Sequence, residues 1–115
     1  MIRWEKDIIR QLERVKSNLS KTHDFDFYLY FPTPYEAKQA SIELLLEGLT
    51  CEIKPGATDN NWLCLASIQL VPEAEELAQM ESTFDKIARA HHGEYDGWES
   101  NIHRNDAIIQ GRLRV

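Results

Sequence analysis

Basic charge is what the body of this chain has least of. Between residues 24 and 100 four basic groups (Lys38, Lys54, Lys86, Arg89) stand against fifteen acidic ones, a net of −11 inside a whole-chain net of −6. Such a body repels phosphate backbones, the source of most nucleic-acid affinity, and suits a basic protein surface. Cysteine is scarce too. Cys51 and Cys64 are the two present, in no zinc or redox spacing, so a reduced protein is expected, with a cross-strand disulfide as the rival reading. No apolar run approaches 18 residues, and the chain opens without a charged start, apolar run and small-residue cleavage site. The expectation is a soluble, cytoplasmic protein without a membrane partner.

The usual signatures of catalysis are missing as well. No serine sits in a Gly-x-Ser-x-Gly elbow, no Gly-rich loop precedes a helix, and neither cysteine has an obvious base beside it, so no enzyme is expected. His91, His92, Glu94, Asp96, Glu99 and His103 are all metal-capable. Adjacent histidines project in different directions, however, and no His-x-x-x-His or Glu-x-x-His pair puts two ligands on one helical face. Cationic side chains at a helix C-terminus explain the histidines more simply, so no metal or cofactor is expected; a small metal-dependent enzyme at this corner is the rival.

What is present reads as one domain of 115 residues, long enough to bury roughly two thirds of its unfolded surface. Residues 1 to 21 hold six basic groups against three acidic ones, and Trp4, Ile8, Leu12, Val15 and Leu19 recur there at helical spacing. An amphipathic helix from Ile2 to Leu19 follows, within an N-terminal segment 1–20. Phe25, Phe27, Leu29 and Phe31 alternate with Asp26, Tyr28 and Tyr30 as a half-buried strand. Thr33, Pro34 and Glu36 are a helix start with a capping box, and Ala37, Ala40, Ile42, Leu44, Leu45 and Leu46 carry that helix to a terminating Gly48. Leu49 to Lys54 and Trp62 to Val71 are strands joined by a hairpin turn over Pro55 to Asn61. A second long helix begins at Pro72, with Glu73, Glu75 and Glu76 in its first turn and the stripe Leu77, Met80, Phe84, Ile87, Ala88.

The block His91 to Glu99 follows it. Gly93 suits a left-handed helix terminator, and Asp96-Gly97 accepts the positive φ of a tight turn, so the block reads as a corner before a short strand over Glu94 to Ser100. In the tail 101–115, Ala107-Ile108-Ile109 is open between strand and helical turn. From Asp24 the order is βαββαβ, an α+β ferredoxin-like sandwich over residues 24–99: an antiparallel sheet with two helices on one face. The first helix is expected to cover the other face, over Tyr28 and Tyr30. The alternative is that its stripe pairs with a second copy, giving a homodimer.

An uncovered tyrosine face would allow a different function, since RNA-recognition motifs share this strand order and stack bases on exposed sheet aromatics. A direct single-stranded RNA-binding module using Tyr28 and Tyr30 is therefore the second reading. Charge opposes it, and no Arg/Lys-Gly-aromatic signature appears in Trp62 to Val71.

The element Glu94-Tyr95-Asp96-Gly97-Trp98, the aromatic strand Phe25 to Phe31 with its capped helix, Gly48 before a short strand, and Pro72 opening an acidic helix together resemble the regulator of ribonuclease activity B family, inhibitors of bacterial endoribonuclease E. The resemblance covers residues 24 to 99. It implies a ferredoxin-fold regulator of RNA decay that binds the ribonuclease on its basic scaffold region, outside the catalytic centre; on charge grounds no direct nucleic-acid binding is expected. The chain departs from the best-known inhibitor pattern by ending in Arg112-Leu113-Arg114-Val115 instead of a long acidic tail. On charge density, Glu73, Glu75, Glu76, Glu94, Asp96 and Glu99 are the candidate partner-binding residues. Tyr95, Gly97 and Trp98 are expected to serve structure.

Overall fold

The computed structural model describes residues 4–57, 60–103 and 111–114. The segment Ala107-Ile108-Ile109 and the side chain of Trp4 lie outside what is described. Helices α1 (Trp4–Arg14), α2 (Pro34–Leu46) and α3 (Ala74–Ala90) accompany strands β1 (His23–Phe31), β2 (Thr50–Pro55), β3 (Trp62–Leu70), β4 (Glu94–Asn101) and β5 (Arg112–Arg114). The strands form one sheet in the order β2-β3-β1-β4-β5 with every pairing antiparallel. This is an α+β architecture. Its fifth strand, from the C-terminal tail, was not expected.

Strand β1 is the central strand of the five, and its period-two pattern sorts its side chains between the two faces. Phe25, Phe27, Leu29 and Phe31 are buried on one face, while Asp24, Asp26, Tyr28 and Tyr30 are half-buried on the other. The buried face packs on α2 and α3 through Ala37, Ala40 and Leu44, and through Leu77, Phe84, Ile87 and Ala88. The Phe27 and Phe84 rings lie 4.5 Å apart. Of the apolar residues that carry α2 to Gly48, Ile42, Leu45 and Leu46 are exposed, because Ala37, Ala40, Ser41 and Leu44 alone recur at the spacing that keeps one side of α2 on the sheet. Cys51 and Cys64 are free thiols on β2 and β3; their direct cross-strand partners are Ala66 and Ile53.

The placement of α1 overturns the expectation that it covers the tyrosine face. It packs against α3 on the helical side, and Ile8 and Leu12 are fully buried in the same core as Phe25 and Phe27. The physical reason lies on the other face, where Asp24, Asp26 and Glu99 would have to be desolvated under an apolar stripe. The helix also stops at Arg14, short of Leu19.

All three helices end in the same hydrogen-bond pattern, in which the second residue past the cap bonds back to the third-last helical carbonyl. The bonds are Ser17 N–H to Leu12 O at 2.9 Å, Leu49 N–H to Leu44 O at 3.1 Å and Gly93 N–H to Ala88 O at 2.7 Å. The left-handed residue is Gly48 (φ 95°) in α2, as expected, but Lys16 (φ 61°) in α1 and His92 (φ 63°) in α3. Gly93 is thus not the left-handed terminator. It is glycine because a Cβ there would lie 2.3 Å from the Tyr30 carbonyl oxygen and 2.4 Å from the Phe31 ring.

Candidate functional site

The Asp96-Gly97 dipeptide is not a turn either; it lies within β4. Tyr28 pairs with Gly97 and Leu29 with Tyr95, so Asp96 is an extra residue against β1, and Gly97 has φ 129°. This β-bulge resets the alternation of the strand. Tyr95 and Trp98, three apart, would face opposite sides of a regular strand. With the bulge both reach the core, Tyr95 beside Phe27 and Phe84, and Trp98 beside Phe25. Asp96 and Glu99 are correspondingly delivered together to the far face.

That face joins several charged groups. The Arg112 guanidinium donates to Asp26 Oδ2 at 3.0 Å and, through Nε, to Glu99 Oε2. The Tyr28 hydroxyl donates to Glu99 Oε1 at 2.8 Å. The Arg114 guanidinium carbon lies 3.8 Å from the Tyr28 ring centroid, with Nη1 donating to the Trp98 carbonyl at 3.1 Å and Nη2 at 3.5 Å from Asp96 Oδ2. Arg112 holds the Glu99 carboxyl below its ordinary range. Burial, then Glu99, pushes the Tyr28 phenol up. Neighbouring carboxylates accept from β3: Ser67 Oγ donates to Asp26 and Gln69 Nε2 to Asp24, each at 2.6 Å. At the other end Tyr30, Ala57, Asn61, Glu94 and Asp96 line a shallow cleft.

The six candidate acidic residues therefore fall into two groups. Glu94, Asp96 and Glu99 belong to the far sheet face. Glu73, Glu75 and Glu76 sit at the start of α3 in the helical layer, on the other side of the sheet. Glu73 is the N-cap, its carboxylate accepting from the N–H groups of Glu75 at 3.2 Å and Glu76 at 2.9 Å. Glu75 and Glu76 are exposed.

Three constellations escaped the sequence. Glu81 is a buried carboxyl on α3 that accepts from the Tyr95 hydroxyl, and burial, then Glu81, pushes that phenol well above its usual range. Its signal was available, since Leu77, Glu81, Phe84 and Ala88 share helical spacing. Second, Ser17 Oγ lies 2.7 Å from His23 Nε2, and His23 Nδ1 lies 2.8 Å from the Lys21 carbonyl. A carbonyl only accepts, so Nδ1 carries the proton and Nε2 accepts from the serine. This Ser–His pair is buried, and Ser17 Oγ also accepts the His103 N–H at 2.9 Å; its bonds tie the end of α1 to the start of β1. Third, His91 and His92 at the end of α3 pair with Glu43 and Glu36 of α2, the latter at 2.6 Å. Among the described residues no three metal-capable groups converge.

The carboxylates and the Tyr28 ring of this face hold guanidinium groups, those of the chain's own Arg112 and Arg114. Base stacking on Tyr28 is disfavoured, since a guanidinium lies over that ring in a field of carboxylates. In comparison with known proteins, the family model described as Regulator of ribonuclease activity B matches residues 4–100. No curated protein matches the chain. Among the described residues no helix is long and apolar enough to cross a membrane.

Proposed function

The chain belongs to the regulator of ribonuclease activity B family, and from that membership we propose that it is a non-enzymatic regulator of RNA decay acting in the cytoplasm. In this reading it binds a ribonuclease E-type endoribonuclease on a basic region outside the catalytic centre and inhibits RNA cleavage. The observation that carries the proposal is the family match spanning α1 to β4, on a body whose net charge of −11 over residues 24–100 complements a basic protein surface.

The strand order β2-β3-β1-β4 supports reading the core as a ferredoxin-like sandwich, with α1 and β5 as additions. A homodimer through α1 forms no part of the proposal, because Ile8 and Leu12 are already buried. Exposed Glu75 and Glu76, and the Glu94, Asp96 and Glu99 group on the sheet, are the contact candidates.

Two measurements test the proposal. The purified chain should retain the ribonuclease in a pull-down, more weakly as salt rises and screening shortens to a Debye length of about 8 Å at physiological ionic strength. It should also slow cleavage of an RNA substrate while shifting no RNA on a gel by itself. Failure to retain the ribonuclease would refute the reading, and a gel shift by the chain alone would favour the RNA-binding alternative.

A further inference from the structure

The acidic face of the sheet is occupied by the chain's own arginines. Arg112 spans Asp26 and Glu99, and the Arg114 guanidinium carbon lies 3.8 Å from the Tyr28 ring centroid while the same side chain bonds the Trp98 carbonyl. A planar cation on an aromatic face, flanked by carboxylates and a carbonyl, is the geometry that selects guanidinium over ammonium. The platform is built from strands β1 and β4, and the bulge at Asp96 delivers two of its carboxylates. The occupant comes from β5, a three-residue edge strand paired to β4 alone and lying beyond residues 4–100 of the family match.

We infer that the sheet face around Tyr28, Asp26 and Glu99 is a guanidinium-binding surface kept filled by β5, and that an arginine-bearing extended segment of a protein partner engages it by displacing Arg112 and Arg114. This deepens the proposed function, resting on it only for the partner being a basic protein. The side chains of Arg112 and Arg114 are 40% and 38% exposed. Exposed ion pairs are worth little against water, so exchange for an incoming guanidinium costs little. A self-filled site lowers a partner's apparent affinity by the fraction of molecules left open, and vacating it restores that affinity.

The test uses the full chain and a synthetic peptide, the N-acetylated sequence of residues 112–115, followed by NMR chemical shifts and by fluorescence anisotropy of a labelled copy. The Arg112→Ala/Arg114→Ala variant should bind the peptide on the order of tenfold more tightly than the parent, with shifts centred on Tyr28 and Glu99. Adding Asp26→Asn and Glu99→Gln to that variant should abolish binding, and a peptide with lysine in place of both arginines should bind more weakly. If the double variant unfolds, Arg114→Gln vacates the ring while Arg112 still holds Asp26 and Glu99, so a gain in the same direction but smaller than that of the double variant is expected from it. Equal affinity for parent and vacated chain, no binding by either, or shifts confined to other surfaces would overturn the inference. Because no ribonuclease is present, peptide binding without ribonuclease retention would sink only the partner assignment, and retention without peptide binding would sink only this one.

Discussion

Replacing Tyr95 by Phe removes a single oxygen from the core, and the structure makes the consequence calculable. The Tyr95 hydroxyl donates to Glu81 Oε2, and Glu81 is 1% exposed under the sheet. Removing that donor deprives a buried carboxyl of a hydrogen bond that water cannot replace, which costs about 1–3 kcal/mol. For a chain of this size each kcal/mol displaces Tm by about 3–6 °C, so a fall of roughly 3–18 °C is expected. The diagnostic step is to remove the other partner as well. In Tyr95→Phe/Glu81→Met both polar groups are gone and the volume is nearly kept, so stability should recover most of the loss instead of falling further. Urea unfolding of the parent, both single variants and the double variant closes the cycle. Additive losses in the double variant would refute the idea that Glu81 is tolerated in the core because of Tyr95.

Three further outcomes are expected. Gly97→Ala places a Cβ on a residue at φ 129°, which should cost about 1–3 kcal/mol by chemical denaturation; an unchanged midpoint would mean the bulge is absent in solution. Gly93→Ala should be destabilising because its Cβ meets the Tyr30 backbone, whereas His92→Gly should be neutral or slightly stabilising since His92 is left-handed; the reverse order in thermal melts would refute the assignment of their roles. Burial lowers the His23 pKa below 6.5, so the unfolded chain binds the proton first as pH falls. The contribution of His23 is complete above about pH 6.5 and is lost progressively below it; His23→Asn should flatten that part of the stability profile, and an unaltered slope would count against it.

The Tyr-Asp-Gly-Trp element shows how a motif can be recognised correctly and read wrongly. Its glycine does require positive φ, which the dipeptide announced. A turn and a bulge both satisfy that requirement, and they differ only in what the flanking strand pairs with. Pairing is settled by β1, seventy residues away. The bulge then determines which carboxylates share the far face with Tyr28, so it governs the candidate site as well as the fold. The same dependence separates Glu94, Asp96 and Glu99 from Glu73, Glu75 and Glu76, which charge density alone had grouped.

Local patterns in the chain determined what local physics controls: the alternation of β1, the N-cap of α2, where the Thr33 hydroxyl accepts the Glu36 N–H at 3.1 Å, and the termination of α2 at Gly48. Tertiary structure decided whatever depended on a partner distant in sequence. A left-handed Lys16 or His92 carries no intrinsic preference strong enough to be seen, and becomes affordable only once the following residue is anchored. Helix α1 had an apolar stripe with two surfaces to choose from, and the choice fell to the side where no carboxylate had to leave water. Strand β5 is three residues with nothing to mark it until β4 offers an edge and Tyr28, Asp26 and Glu99 offer a seat for its arginines.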